Sequence, residues 1–285
     1  MTPRPKTALV LAGGGSLGAV QVGMLRELLA AGERFDFVVG ASAGAINGAY
    51  FAANPTIDGV MALESIWRNI MRRDVMPFSL SMLLNVALRR DYLVDGSALE
   101  RLLRRHLGDA RIESATLPLH VVATDMLSGE EVVISSGPVV RAVLASAAIP
   151  GIFPPVRVDG RTLIDGGIAN NAPISAALAC GAQRIVVLPT GFACVPATIR
   201  PGAAAKAMHA VNLLVSRQLV RDIGHYAERA EICVVPTLFP LEASSYDYSV
   251  CAGVIDRSAT AARAWIEGGG LTRIGVPEML REHTH

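Results

Sequence analysis

The sequence lacks an excess of charge of either sign. Its 26 Lys and Arg residues balance 25 Asp and Glu for a formal net charge of +1. No basic field exists to draw in nucleic acid, so a nucleic-acid partner is not expected. Charged residues are also scarce, at 18%, against 51% hydrophobic. That balance excludes a disordered chain and supplies a large core. Cysteine is sparse: Cys180, Cys194, Cys233 and Cys251 include no C-x-x-C pair and no zinc-like Cys/His spacing. The thiols read as reduced, and neither a metal nor a cofactor is expected. Convincing membrane spans are missing too. The uncharged stretch 7–25 holds five glycines, and the stretch 37–57 holds Asn47, Asn54 and Pro55. The apolar run 8–12 behind Arg4 and Lys6 is too short for a secretory signal. The chain therefore reads as cytoplasmic, with peripheral membrane contact the remaining question.

What is present is an alternation of strand and helix patterns. An uncharged run at 7–12 suits a strand buried on both faces. A helix should run from about 17 to 31, closed by Gly32. A second strand at 35–39 and a second helix from Ala43 follow. This β-α-β-α start predicts an α/β fold with a parallel sheet. Residues 56–108 read as mostly helical, and "SALE" (Ser97 to Glu100) fits a capping box that opens a helix ending near His106. Further strands are expected at 119–124, 131–134, 156–158, 162–164, 184–188 and 231–235, with helices at 139–148 and 203–229. Asn171 should cap a helix whose first turn holds Pro173. With no repeat or linker in view, residues 5–270 read as one domain with a helical insertion at about 56–108, and 271–285 as a C-terminal tail.

Two motifs sit on strand-to-helix turns. "GGGSLG" (Gly13 to Gly18) follows the first strand, and "GASAG" (Gly40 to Gly44) follows the second. The second is G-x-S-x-G in the setting a nucleophile elbow needs, which makes Ser42 a candidate nucleophile at a helix N-terminus. The first matches a dinucleotide fingerprint as a bare pattern. That reading requires an acid at the end of the second strand, where the chain has Val39-Gly40-Ala41-Ser42 instead; Asp36 lies at the wrong end. No Gly-Lys-Ser/Thr follows, so a phosphate loop is excluded as well. Beside a serine nucleophile the glycines suit an oxyanion hole, built from the amides of Gly13, Gly14, Gly15 and Ser16. The base for Ser42 is open at this level. Asp165 in "LIDGG" sits at a strand end before Gly166 and Gly167, Asp125 ends another strand, and there are six histidines: His106, His120, His209, His225, His283 and His285.

Taken in order, GGGSLG, GASAG and DGG (Asp165 to Gly167) resemble the patatin-like phospholipase family. "ASAAIPGIFPPV" (Ala145 to Val156) and "DGGIANNAPI" (Asp165 to Ile174) continue the likeness, which spans about residues 7–190. The resemblance implies a three-layer α/β/α fold with a mostly parallel sheet and a helical cap. It also implies a hydrolase of lipid acyl esters using a Ser42–Asp165 dyad without histidine, with oxyanion donors chiefly at Gly14 and Gly15. Many members carry a basic residue where this chain has Ser16, which points to a different ester or a less charged lipid. An acyltransferase or thioesterase on the same dyad is the alternative, and beyond it a non-enzymatic nucleotide-binding protein. The segment 65–94 mixes Trp67, Met71, Met76, Phe78, Met82, Leu83 and Leu84 with Arg68, Arg72, Arg73, Arg89 and Arg90. That mixture suits an anionic lipid surface or an acyl tunnel.

Overall fold

The computed structural model describes residues 4–77, 91–191, 203–238 and 246–277. In chain order the strands are β1 (Thr7–Leu11), β2 (Phe37–Ala41), β3 (Leu119–Asp125), β4 (Glu131–Ile134), β5 (Val156–Val158), β6 (Arg161–Asp165), β7 (Arg184–Leu188) and β8 (Glu231–Val234). The helices are α1 (Ala19–Ala30), α2 (Ala43–Ala53), α3 (Ile57–Asn69), α4 (Arg72–Val75), α5 (Ser97–Leu107), α6 (Val139–Ser146), α7 (Gly167–Asn170), α8 (Ile174–Ala179), α9 (Ala203–Tyr226) and α10 (Cys251–Glu267). Five strands run parallel in the order β3-β2-β1-β7-β8, and β4, β5 and β6 add an antiparallel flank.

Side chains of β1 alternate between two apolar cores, as the period of a strand requires. Leu9 and Leu11 join Leu25, Phe51, Val60 and Ile255 on one face. Ala8 and Val10 join Ile174, Ala177, Leu219 and Ile223 on the other. Helices thus cover both faces of a mostly parallel sheet, and the fold is the three-layer α/β/α arrangement expected. The α1 and α10 backbones approach closely at Gly23, where a Cβ would meet the Ile255 carbonyl oxygen at 2.3 Å. Across the same face, Glu27 pairs with Arg26 and Arg263, while Glu64 pairs with Arg26 and Arg68.

One feature of the sheet brings distant residues together. Val121 of β3 pairs with Gly40 of β2 and with Ile134 of β4, so β2 and β4 lie on opposite edges of β3. Ala123 pairs with Val132 of β4 and with Asp165 of β6, so β6 also lies opposite β4. The strands β2 and β6 therefore meet head to head along one edge of β3. Ala41 faces Val122 and Asp165 faces the next residue, Ala123.

Three local expectations are corrected. β2 begins two residues late, because the Asp36 carboxylate accepts the Thr7 N–H (2.6 Å) and an Arg4 guanidinium N–H (2.6 Å) and so anchors the strand's entrance. Ser97 does not cap α5. Left-handed Gly96 (φ 78°) precedes it, and the Asp95 carboxylate accepts the Ser97 N–H at 3.0 Å. Asn171 closes α7 instead of capping α8, whose N-terminal flank is Pro173. Phe78, Met82, Leu83, Leu84, Arg89, Arg90, Cys194, His283 and His285 lie outside the described residues. Cys180, Cys233 and Cys251 are free thiols.

Candidate active site

β2 ends at Ala41, and α2 begins at Ala43. Ser42 between them takes φ 53°, ψ −122°, a conformation costly for a residue with a Cβ, by about 1–3 kcal/mol. The neighbouring glycines make room for it. A Cβ on Gly40 would lie 2.4 Å from the Gly44 carbonyl oxygen, and one on Gly44 would lie 2.1 Å from that of Leu11. The strain is held by Ser146 on α6, whose hydroxyl accepts the Ser42 N–H at 2.8 Å and donates to the Val122 carbonyl at 2.5 Å.

Asp165 arrives from the facing end of β6. The Ser42 hydroxyl donates to its Oδ2 at 2.6 Å, and the Gly167 N–H donates to its Oδ1 at 2.8 Å. Behind it, the Thr124 hydroxyl donates to the Asp165 carbonyl at 2.7 Å. Gly166 has no room for a side chain, since a Cβ would sit 2.0 Å from the Val122 carbonyl oxygen. Burial pushes the Asp165 pKa up, opposed by the bonds from Ser42 and Gly167, to about 6. A buried carboxylate that titrates there is ionised at neutral pH and still basic enough to take a hydroxyl proton.

Of the other candidate bases, Asp125, His106, His120 and His225 are engaged elsewhere, and the side chain of His209 lies outside the described residues. The Asp125 carboxylate accepts the Leu127 and Ser128 N–H groups (3.0 and 3.2 Å) and closes the β3–β4 turn. His120 Nδ1 pairs with the Ser135 hydroxyl at 2.7 Å. His106 and His225 pack on Tyr50 and Tyr226. Among the described residues no histidine hydrogen-bonds Ser42.

The glycine turn lies against this pair. Thr190 donates its hydroxyl to the Gly13 carbonyl at 2.6 Å, and Asn171 Nδ2 donates to the same oxygen at 3.4 Å. In a trans peptide the following N–H points the opposite way, so the Gly14 amide is turned away from Thr190. Neither the Gly14 nor the Gly15 N–H donates to a protein acceptor among the described residues. Gly13 differs: its N–H donates to the Asn171 carbonyl at 3.0 Å, so it shapes the turn and is not free to hold an oxyanion. Gly15 takes φ 59° and opens a 3-10 turn (Gly15–Gly18) in which Ser16 is fully buried. At Gly18 a Cβ would lie 3.0 Å from the Ala43 Cβ, which keeps the turn close to the elbow.

A polar network invisible in the sequence braces the turn. Asn47 Nδ2 donates to the Gly18 carbonyl (2.9 Å) and to Gln21 Oε1 (2.8 Å), and Trp67 Nε1 donates to Asn47 Oδ1 at 2.7 Å. Trp67 is thus buried, not an exposed interfacial side chain. An apolar cavity of about 50 Å³ is lined by Gly15 and Ser42 together with Ile46, Leu63, Trp67, Leu103 and Phe153. A larger cleft of about 650 Å³, lined by Arg104, Arg111, Arg141 and Arg157, touches neither Ser42 nor Asp165. Among the described residues, no three His, Cys, Asp or Glu side chains converge as metal ligands, and no helix is long and apolar enough to cross a membrane.

A family model described as patatin-like phospholipase matches residues 9–178. Over 186 residues the chain is 31% identical to patatin-like phospholipase domain-containing protein 7 of Rattus norvegicus, covering 65% of this chain and 13% of that protein. Over 171 residues it is 33% identical to an NTE family protein of Mycobacterium tuberculosis, covering 60% of this chain and 45% of that protein. The chain spans less than half the length of either relative. Among solved structures, ExoU of Pseudomonas aeruginosa, in complex with SpcU, aligns with a TM-score of 0.48 at 18% identity, covering 95% of this chain and 54% of ExoU. VipD from Legionella pneumophila aligns with a TM-score of 0.44 at 16% identity, covering 92% of this chain and 67% of VipD.

Proposed function

The chain belongs to the patatin-like phospholipase family, and from that premise we propose that it hydrolyses lipid acyl esters with Ser42 as nucleophile and Asp165 as its base. The observation that carries this reading is the 2.6 Å bond from the Ser42 hydroxyl to Asp165 Oδ2 at a strained elbow. Ser42 Oγ attacks the ester carbonyl carbon while Asp165 Oδ2 takes its proton. The carbonyl oxygen becomes an oxyanion, held by the Gly14 and Gly15 amides, with the N-terminus of α2 adding favourable potential. The tetrahedral intermediate collapses, and the leaving alkoxide takes the proton from Asp165. Water then gives a proton to Asp165 and attacks the acyl-enzyme carbonyl. A second collapse frees the fatty acid, and the proton returns to Ser42.

The acyl chain enters the cavity between α2, α3 and α5. At about 50 Å³ that cavity is too small for a long chain, so lining side chains of α3 and α5 must part to admit it. These parts act within one hydrolase domain, 5–270. Ile57 and Met61, one turn apart on α3, are exposed, and so is Met71, which precedes Arg72 and Arg73 in the chain. Met71 with Arg72 and Arg73 rests on an anionic lipid surface, which co-sedimentation of the Ser42→Ala protein with anionic and neutral vesicles tests.

The activity itself is tested by incubating wild type and Ser42→Ala with phosphatidylcholine, lysophosphatidylcholine and monoacylglycerol, and measuring released fatty acid by mass spectrometry. Release by wild type and not by Ser42→Ala supports the reading. No release from any lipid by well-folded wild type contradicts it.

A further inference from the structure

Ser42, Ile46 and Tyr50 recur at four-residue spacing, so the elbow and two side chains of α2 share one face. All three line the apolar cavity. The Tyr50 hydroxyl is shut away from solvent and has no hydrogen-bond partner among the described residues. The same cavity is lined with hydrocarbon from Leu63, Leu102 and Leu103, and the His106 ring lies beside Tyr50, with centroids 5.8 Å apart. Burial pushes the phenol pKa far above its usual value. The group is therefore a neutral hydroxyl, able both to donate and to accept. An unpaired buried hydroxyl is unfavourable, and phenylalanine would fill the same space without that penalty. The penalty is relieved when an oxygen of a bound molecule reaches the phenol.

We propose that Tyr50 forms a polar subsite at the far end of the acyl cavity and selects acyl chains that carry a hydroxyl or keto oxygen along their length. This rests on the ester-hydrolase reading above. Tyr50 lies eight residues beyond Ser42, about 12 Å along the helix, and its side chain leans back toward the elbow. The matching oxygen is then at roughly carbons 6 to 10 of the chain, given that helical rise.

The test compares wild type with Tyr50→Phe on p-nitrophenyl decanoate and on its analogues hydroxylated at carbon 6, 8 or 10. Wild type should prefer at least one hydroxylated ester by about tenfold in kcat/KM, the scale of one buried hydrogen bond, chiefly through KM. Tyr50→Phe should lose that preference and bind the plain ester more tightly, with a melting temperature no lower than wild type. Equal preference in the two proteins, with all esters turned over, overturns the inference and leaves the dyad reading standing. Turnover of none of the esters by wild type also overturns it. Labelling of Ser42 by a fluorophosphonate then decides whether the dyad reading falls too.

Discussion

The Ser42 N–H donates to the Ser146 hydroxyl at 2.8 Å, and that hydroxyl donates to the Val122 carbonyl, which ties the strained elbow to β3, the strand against which β6 and Asp165 pair. Ser146 is fully buried and does not line the cavity beside Ser42, so its work is to position Ser42. Ser146→Ala leaves the Ser42 N–H and the Val122 carbonyl without this partner. We expect a loss of about 1–3 kcal/mol in stability and a fall in kcat larger than any change in KM. Urea unfolding and ester kinetics check both; wild-type values for this variant would contradict the role.

Asp165 gives opposite signs for activity and stability. As a base it must be ionised, so the rate should rise with pH through about 6 and then level. Its folded pKa lies above the unfolded value near 3.9, so the folded state holds the proton more tightly. This group's contribution to stability is complete below about pH 4 and falls by about 3 kcal/mol as pH rises through 6. Asp165→Asn removes that fall. The variant should lose ester hydrolysis yet be more stable than wild type at pH 8, and denaturant unfolding of both proteins at pH 4 and 8 measures the difference.

Gly14 has no room for a methyl group. Its Cβ would lie 2.1 Å from the Thr190 hydroxyl oxygen, and that hydroxyl is fixed on the Gly13 carbonyl. Gly14→Ala should shift the turn and misplace its amides, cutting kcat by about 10²–10³-fold, the cost of one lost oxyanion donor. Circular dichroism should show the fold retained. Undiminished kcat would remove the glycine turn from the mechanism.

Asn47 serves three buried groups at once: the Gly18 carbonyl, Gln21 Oε1 and Trp67 Nε1. Asn47→Leu leaves all three unpaired, and each stranded group costs about 1–3 kcal/mol. We expect destabilisation of at least about 3 kcal/mol on that basis, read as a lower urea midpoint. A neutral outcome would mean that the network does not brace the turn.

Much of this site is legible in the sequence because local geometry dictates it. Gly40 and Gly44 flank a serine whose backbone leaves no space for other residues, and GGGSLG opens a helix after a buried strand. Asp165 is different. Residue chemistry leaves it level with Asp125 and the histidines, because only the pairing of Asp165 with Ala123, next to the Ala41–Val122 pair, places it opposite Ser42. Such non-local register carries no local signal. Ser146, Asn47 and Tyr50 are hidden for another reason. Each sits in a largely apolar helix, and nothing in the pattern says what it meets. Ser97 misleads in the reverse way, matching a capping box whose role the Asp95 carboxylate takes over.

The central claim is that Ser42, activated by Asp165, forms an acyl-enzyme. The direct measurement is intact-protein and peptide mass spectrometry after rapid acid quench during turnover of a p-nitrophenyl ester. The account predicts one acyl group on the Ser42 peptide in wild type, none in Ser42→Ala, and formation slowed by orders of magnitude in Asp165→Asn. Ester turnover with no acyl group on Ser42, or with the acyl group on another residue, would contradict it.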